Sequence, residues 1–206
     1  MQYIVMCGRT QNWKYPRQLY QLGDETVVER TIRLLRNKGI EDIAISSNDT
    51  RFEGLGVSVL HHKNEVWLDA FYPTDEPTCY LFGDVVFSPE AIDTIVSTDT
   101  EDIEFFASAP PFNSSYLKSW AEPFAFKVVN TQHFRESIEK AKQYCRTGKL
   151  KRGISWELWQ VIKNTPLNKI DYSNYTAIND YTCDIDNKND LACFMRLLDA
   201  RGGSLE

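Results

Sequence analysis

Cys79-Tyr80-Leu81-Phe82-Gly83-Asp84-Val85-Val86-Phe87 lies near the middle of the chain. Its apolar opening suits a strand buried on both faces of a parallel sheet, and the Gly and acid that follow would put a carboxylate at the strand's carboxyl end, where open α/β sheets bind ligands. A Gly-Asp pair after a strand is also a common turn, so this stretch alone leaves turn and site both open.

Working outward from it, Val57-Ser58-Val59-Leu60, Ile43-Ala44-Ile45-Ser46 and Tyr3-Ile4-Val5-Met6 read as further buried strands. A helix is expected between the first two strands of the chain. Thr26 and Glu29 stand at capping-box spacing, Val28, Ile32 and Leu35 form one face, and Gly39 ends it. A short helix is expected around 65–71, and Ser88-Pro89-Glu90 starts another after the central strand. Beyond it, Ile103–Ser108 and Phe124–Val129 read as strands, Thr131 to Cys145 as a helix, and Leu158, Val161 and Ile162 as part of a short helix. Tyr181–Asp186 is expected to be a strand ending in acids, with Asn187 capping a last helix. The alternation predicts an α/β fold, a doubly wound and mostly parallel Rossmann-like sheet flanked by helices in three α/β/α layers.

At 206 residues, 42% hydrophobic and 25% charged, the chain suits one domain over 1–206. Three successive parts are expected within it, 1–100, 101–165 and 166–206, the last a return strand and C-terminal helix. A net charge of -6 without a basic run gives no footprint for nucleic acid. Five cysteines without CxxC spacing suggest reduced cytosolic thiols rather than a disulfide framework or zinc site. No membrane span or signal sequence is read, so a soluble, cytoplasmic protein is expected. Oligomeric state leaves no trace in the sequence.

Three separated pieces resemble one family, the nucleotidyltransferases with a glycosyltransferase-A-like fold, among them sugar-phosphate nucleotidyltransferases and the methylerythritol phosphate and phosphocholine cytidylyltransferases. Met6-Cys7-Gly8-Arg9-Thr10 with Pro16-Arg17-Gln18-Leu19 resembles the phosphate loop and its Pro-Lys-x-Leu element. Leu81-Phe82-Gly83-Asp84 resembles the central strand with its metal-binding Asp, and Asp184-Ile185-Asp186-Asn187-Lys188-Asn189-Asp190-Leu191 the late acidic segment. The loop keeps one Gly where the family's is Gly-rich, and Asn64–Ala70 replaces the family's Gly-Thr-Ala segment.

The resemblance implies an enzyme that joins a nucleoside triphosphate to a phosphorylated small molecule, a sugar phosphate or amino alcohol phosphate, and releases pyrophosphate. It implies Mg²⁺ held by Asp84 and Asp186, with Arg17 in the place of the family's Lys, and these three as the catalytic set. Nucleotide contacts are expected from Cys7, Gly8, Arg9, Thr10, Arg17 and Gly83, and from the polar loop Ser47-Asn48-Asp49. Acceptor contacts are expected from Trp120, Glu122, Lys127, Trp156 and Glu157. Asp184 and Asp190 read as helix-start acids, and His61-His62 as structural. Two other readings stay open: a non-catalytic member of the fold that binds a nucleotide or a partner, and a metal-dependent glycosyltransferase using Asp184-Ile185-Asp186 as an Asp-x-Asp motif.

Overall fold

The computed structural model describes residues 1–8, 14–63, 66–110 and 120–200. In chain order its strands are β1 (Gln2–Met6), β2 (Gln21–Leu22), β3 (Glu25–Thr26), β4 (Ile43–Ser46), β5 (Ser58–Leu60), β6 (Thr78–Phe82), β7 (Val85–Val86), β8 (Ile103–Ser108), β9 (Pro123–Val128), β10 (Thr176–Ile178) and β11 (Cys183–Asp184). The α-helices are α1 (Val27–Asn37), α2 (Pro89–Ser97), α3 (Thr131–Arg146), α4 (Ser155–Ile162) and α5 (Lys188–Ala200).

The main sheet has seven strands in the order β10-β8-β9-β6-β1-β4-β5. β1 pairs in parallel with both β4 and β6, β4 with β5, and β8 with β10, while β9 runs antiparallel between β6 and β8. β1, β4 and β6 are apolar along nearly their whole length because helices cover both faces, which removes the polar-out alternation of a half-exposed strand. Side chains alternate across the sheet, and β9 shows where each layer lies. Phe126 meets Phe134 of α3 and Trp159 of α4, whereas neighbouring Lys127 points to the other face and reaches the end of α2. The doubly wound, three-layer expectation therefore holds.

The expected caps are present. Thr26 and Glu29 form the reciprocal box at the start of α1, with the Glu29 carboxylate accepting from Thr26 N at 2.8 Å. Ser88 Oγ accepts from Ala91 N at 2.8 Å to open α2, and Asn187 Oδ1 accepts from Asn189 N and Asp190 N at the start of α5.

Three features depart from the sequence reading. The expected helix over 65–71 is a single 3-10 turn, Trp67–Ala70. β10 is an additional edge strand. The segment 181–186 does not join the main sheet; β11 pairs antiparallel with β7 in a separate two-stranded ribbon, Asp184 opposite Val85 and Cys183 opposite Val86.

That ribbon is held from beneath by a second apolar cluster, in which Leu22, Val27, Val86, Cys183, Ile185, Phe194 and Leu198 pack together. Arg30 of α1, fully buried, ties it to the sheet by donating from Nε to Phe87 O at 3.2 Å and from Nη2 to Tyr181 Oη at 3.1 Å. Ser88 donates from Oγ to Asp180 at 2.6 Å and from N to Thr182 Oγ1 at 3.0 Å. The late segment is thus fixed to the central strand by buried polar bonds, which are costly to break.

Candidate active site

The carboxyl edge of the sheet carries, from β6 through β1 and β4 to β5, Asp84, Cys7 and Gly8, Ser47 to Asp49, and His61-His62. Gly83 and Gly8 are needed there for close approach, since neither has the positive φ that would otherwise demand glycine. Gly83 N donates to Met6 O at 3.0 Å, and a Cβ on Gly83 would lie 2.6 Å from both Met6 O and Cys7 Sγ. A Cβ on Gly8 would lie 2.9 Å from Ala70 Cβ in the turn that crosses above it. Cys7 is wholly buried, and burial followed by the charges of Asp84 and Asp49 pushes its thiol well above the usual range. It is therefore a packing residue and not a nucleophile.

Asp84 and Asp186 come together on one cation. Ile185 N donates to Asp84 O at 2.9 Å, extending the ribbon so that the two acids stand side by side. Arg17 Nε lies 3.2 Å from Asp84 Oδ2, and Arg17 Nη1 lies 2.5 Å from Asp186 Oδ1. Burial alone would lower the Arg17 pKa, but Asp84, Asp184 and Asp186 outweigh it and hold the guanidinium more firmly charged than usual. Asp84, Asp184 and Asp186 thus share the field of one guanidinium, and at an effective dielectric of ~20 unit charges ~4 Å apart interact by ~4 kcal/mol, so carboxylates gathered in this way suit a cation.

The donor chemistry fits Mg²⁺, which takes hard carboxylate oxygens from one or two residues and completes its shell with water and phosphate. Among the described residues no cluster of three or more His, Cys, Asp and Glu forms a ready-made metal cage. Asp190 is a helix-start acid whose Oδ2 accepts from Asp186 N at 3.0 Å, bracing that ligand candidate from behind.

These groups form one end of a cleft of about 690 Å³. Its walls are Trp67, Phe82, Trp120, Trp156 and Tyr172, with Ile154, Ser155, Ile170 and Arg152 between them. Trp156 donates from Nε1 to Ala121 O at 2.8 Å and stands at 88° to the ring of Tyr172, centroids 4.8 Å apart. Trp67 stacks on Phe82 at 5.8 Å. A second cavity of about 360 Å³, between α3 and the 61–74 loop, contains none of the three acids.

Of the five expected acceptor contacts, Trp120 and Trp156 line this cleft, Trp156 as a buried ring, while the other three are engaged elsewhere. Lys127 is buried and donates from Nζ to Ile95 O, Val96 O and Thr98 O at 3.2, 2.9 and 2.6 Å, closing the carboxyl end of α2. Glu157 accepts from Ile154 N at 3.1 Å as the acid of the first turn of α4. Glu122, 2% exposed, accepts from Asp184 N at 3.3 Å and supports the ribbon.

The loop expected to touch nucleotide with its side chains is likewise engaged internally. Ser47 Oγ donates to Cys7 O at 2.8 Å. Asn48 grips the backbone of His62, accepting from its N–H at 2.9 Å and donating to its carbonyl. Asp49 pairs with Arg51 and caps the turn after it. Arg9 and Thr10 lie outside the described residues. Trp67, Phe82, Arg152 and Tyr172 are cleft residues that sequence reasoning missed. Asp184, read from sequence as a helix-start acid or as part of an Asp-x-Asp motif, instead lies in strand β11 and lines the cleft.

A fold with this sheet order, one strand of it antiparallel, recurs among solved structures, several of them nucleotidyltransferases. No protein-family profile matches the sequence, and no curated protein sequence matches it. Solved structures do. A 2-C-methyl-D-erythritol 4-phosphate cytidylyltransferase from Thermus thermophilus aligns with a TM-score of 0.58 at 13% identity, over 96% of this chain and 98% of that one. An inositol-1-phosphate CTP transferase from T. maritima gives 0.55 at 15% identity, over 98% and 97%. The CTP:phosphocholine cytidylyltransferase of Streptococcus pneumoniae gives 0.52 at 16% identity, over 95% and 97%. At these identities the shared property is the fold.

Proposed function

We propose that this protein is a Mg²⁺-dependent nucleotidyltransferase that joins a nucleoside triphosphate to a phosphorylated small molecule, a sugar phosphate or an amino alcohol phosphate. A phosphate oxygen of the acceptor attacks the α-phosphorus, a new P–O bond forms, the bond to the β-phosphate bridge breaks, and pyrophosphate leaves. The attacking oxygen is already anionic, so no strong protein base is needed. The observation that carries this reading is the convergence of Asp84 and Asp186 on one cation at the end of a cleft on the carboxyl edge of the sheet.

Asp84 and Asp186 would hold the metal, which when bound supplies charge neutralisation and orientation of the phosphates. Arg17, beside both acids, is the side chain to grip the departing pyrophosphate, and a guanidinium can do so through two parallel N–H donors. Backbone around Cys7, Gly8 and Gly83 would approach the phosphates. The cleft beyond the acids would receive the acceptor. We place the protein in the cytoplasm, with free thiols at all five cysteines in support; no helix among the described residues is long and apolar enough to cross a membrane.

Isothermal titration of CTP, UTP, GTP, ATP and dTTP in the presence of Mg²⁺ is the direct test. Micromolar to millimolar binding of at least one, lost with EDTA, is expected. If none binds, the reading fails.

A further inference from the structure

We propose that the second cavity, between α3 and the 61–74 loop, is a binding site for a small apolar acid: a carboxylate carried on a single ring or a short branched chain. This does not depend on the nucleotidyltransferase reading, because the cavity contains none of the three acids of the cleft. Its origin lies in the fold. A parallel crossover ordinarily lays an α-helix on the sheet, but the described residues between β5 and β6 form one 3-10 turn, Trp67–Ala70, and about 360 Å³ beside α3 stays unfilled. Ligand pockets span about 300–1,000 Å³, so a one-ring molecule is the size that fits.

The floor of the cavity is a set of rings locked against one another. Phe71 stands edge-on to Tyr80 and to Phe134, with centroids 5.3 Å apart in both pairs, and Tyr80 stacks on Phe134 at 5.5 Å. The polar side-chain atom among them, Tyr80 Oη, donates to Tyr72 O at 2.6 Å. This floor therefore offers ring faces and edges and no unmet hydrogen bond, which suits an apolar body. The rim supplies the charge. Lys63, Arg135 and Lys142 line the cavity with Asp69 and Glu139, an excess of one positive charge with the histidines counted as neutral. Lys142 is engaged by Asp69 and Glu139 at 3.0 and 3.2 Å, and Arg135 by Asp75 at 2.7 Å. The Lys63 ammonium makes no ion pair among the described residues. A monoanion with its ring on the aromatic floor and its carboxylate at Lys63 matches both surfaces. The cavity also shares a wall with the cleft: Phe71 stands edge-on to Trp67 and Phe82, at 5.5 and 6.4 Å, and those two rings stack on each other in the cleft wall. Trp67 is thus a native reporter of what enters the cavity.

The test titrates the whole chain, without metal or nucleotide, with 4-phenylbutyrate, its uncharged counterpart 4-phenylbutanol, and butyrate, followed by calorimetry and tryptophan emission. 4-Phenylbutyrate is expected to bind about two- to fivefold more tightly than the alcohol, and at least about tenfold more tightly than butyrate, which lacks the ring. Lys63→Gln, at an exposed position, should abolish the preference for the acid and leave the alcohol unchanged. Ile138→Phe, which fills the cavity from α3, should weaken both ring compounds at least about tenfold. Trp67→Phe should remove the emission change and keep the heat of binding. Equal binding of acid and alcohol, a preference that survives Lys63→Gln, or no saturable binding of either ring compound overturns the inference. None of these outcomes bears on the nucleotidyltransferase reading, which stands or falls on the triphosphate titration.

Discussion

Two polar clusters share the carboxyl edge of one sheet. Around β4 and β5, Ser47, Asn48, Asp49 and Arg51 hydrogen-bond to backbone and to one another, down to an amide that grips both the N–H and the carbonyl of His62, whose buried Nε2 has no hydrogen-bond partner among the described residues. Around β6 and the ribbon, Asp84, Asp184 and Asp186 crowd one guanidinium, that of Arg17, at the cleft. The side chains of the first cluster are mostly spent on the scaffold. The second gathers three acids on one cation at the cleft, which is why we propose it as the ligand site.

The sharpest way to break that contrast is to remove charge from the second cluster. Asp84→Asn should lower kcat roughly a hundred- to a thousandfold while leaving the melting temperature unchanged or higher, because like-charge repulsion is relieved. Asp186→Asn should behave likewise. A variant that keeps activity would return Asp84 to the role of a turn residue. Arg17→Ala should depress turnover and also strengthen Mn²⁺ binding without nucleotide, measured by paramagnetic relaxation, since the competing internal cation is gone.

Next come two changes that should damage the fold and spare the chemistry that remains. Gly83→Ala forces a Cβ to within 2.6 Å of Met6 O, a backbone atom that cannot swing aside, and should cost about 1–3 kcal/mol in urea unfolding. Asn48→Ala strands two backbone groups of His62 and should cost about 1–3 kcal/mol, with kcat of the folded fraction nearly unchanged. A large fall in kcat for Asn48→Ala would mean that the first cluster is not mere scaffold.

The smallest expected effect lies outside both clusters. Hydrogen bonding from Arg33 holds the Glu25 carboxyl below its ordinary 4.5, with burial opposing and the charges of Arg33 and Arg30 assisting. A depressed folded pKa contributes stability above the unfolded value, and this contribution fades as pH falls through the folded one. Wild type should thus lose more stability than Glu25→Gln between pH 5 and pH 3, by less than about 1 kcal/mol.

What the sequence discloses follows from how local each signal is. The caps at Thr26, Ser88 and Asn187 act within three residues and are legible, as are β1, β4 and β6 from their apolar runs. β7 and β11 are two residues long, too short for any periodicity, and only tertiary pairing defines them. Lys127 misleads because nothing near it in sequence shows that three carbonyls of α2 lie across the sheet from its stem. Glu122, Glu157 and Asn48 read as ligand groups for the same reason: a polar side chain looks identical in sequence whether it serves a ligand or a neighbouring backbone. Asp84 and Asp186 emerge from a pattern of three separated segments. The rings of Trp67 and Tyr172, with no local pattern, do not.

On the function we propose, the ribbon of β7 and β11 also sets when the protein becomes competent. Asp84 is in place once the central strand is laid down, but Asp186 arrives from near the other end of the chain and stays only if α5 docks on the apolar underside of the ribbon. Contacts of such large sequence separation close late, because their loop entropy is met only after the rest is ordered. A chain cut short before residue 180, or one whose last helix frays, would keep most of its sheet and lose one of the two acids, so the site serves as its own check that folding has finished.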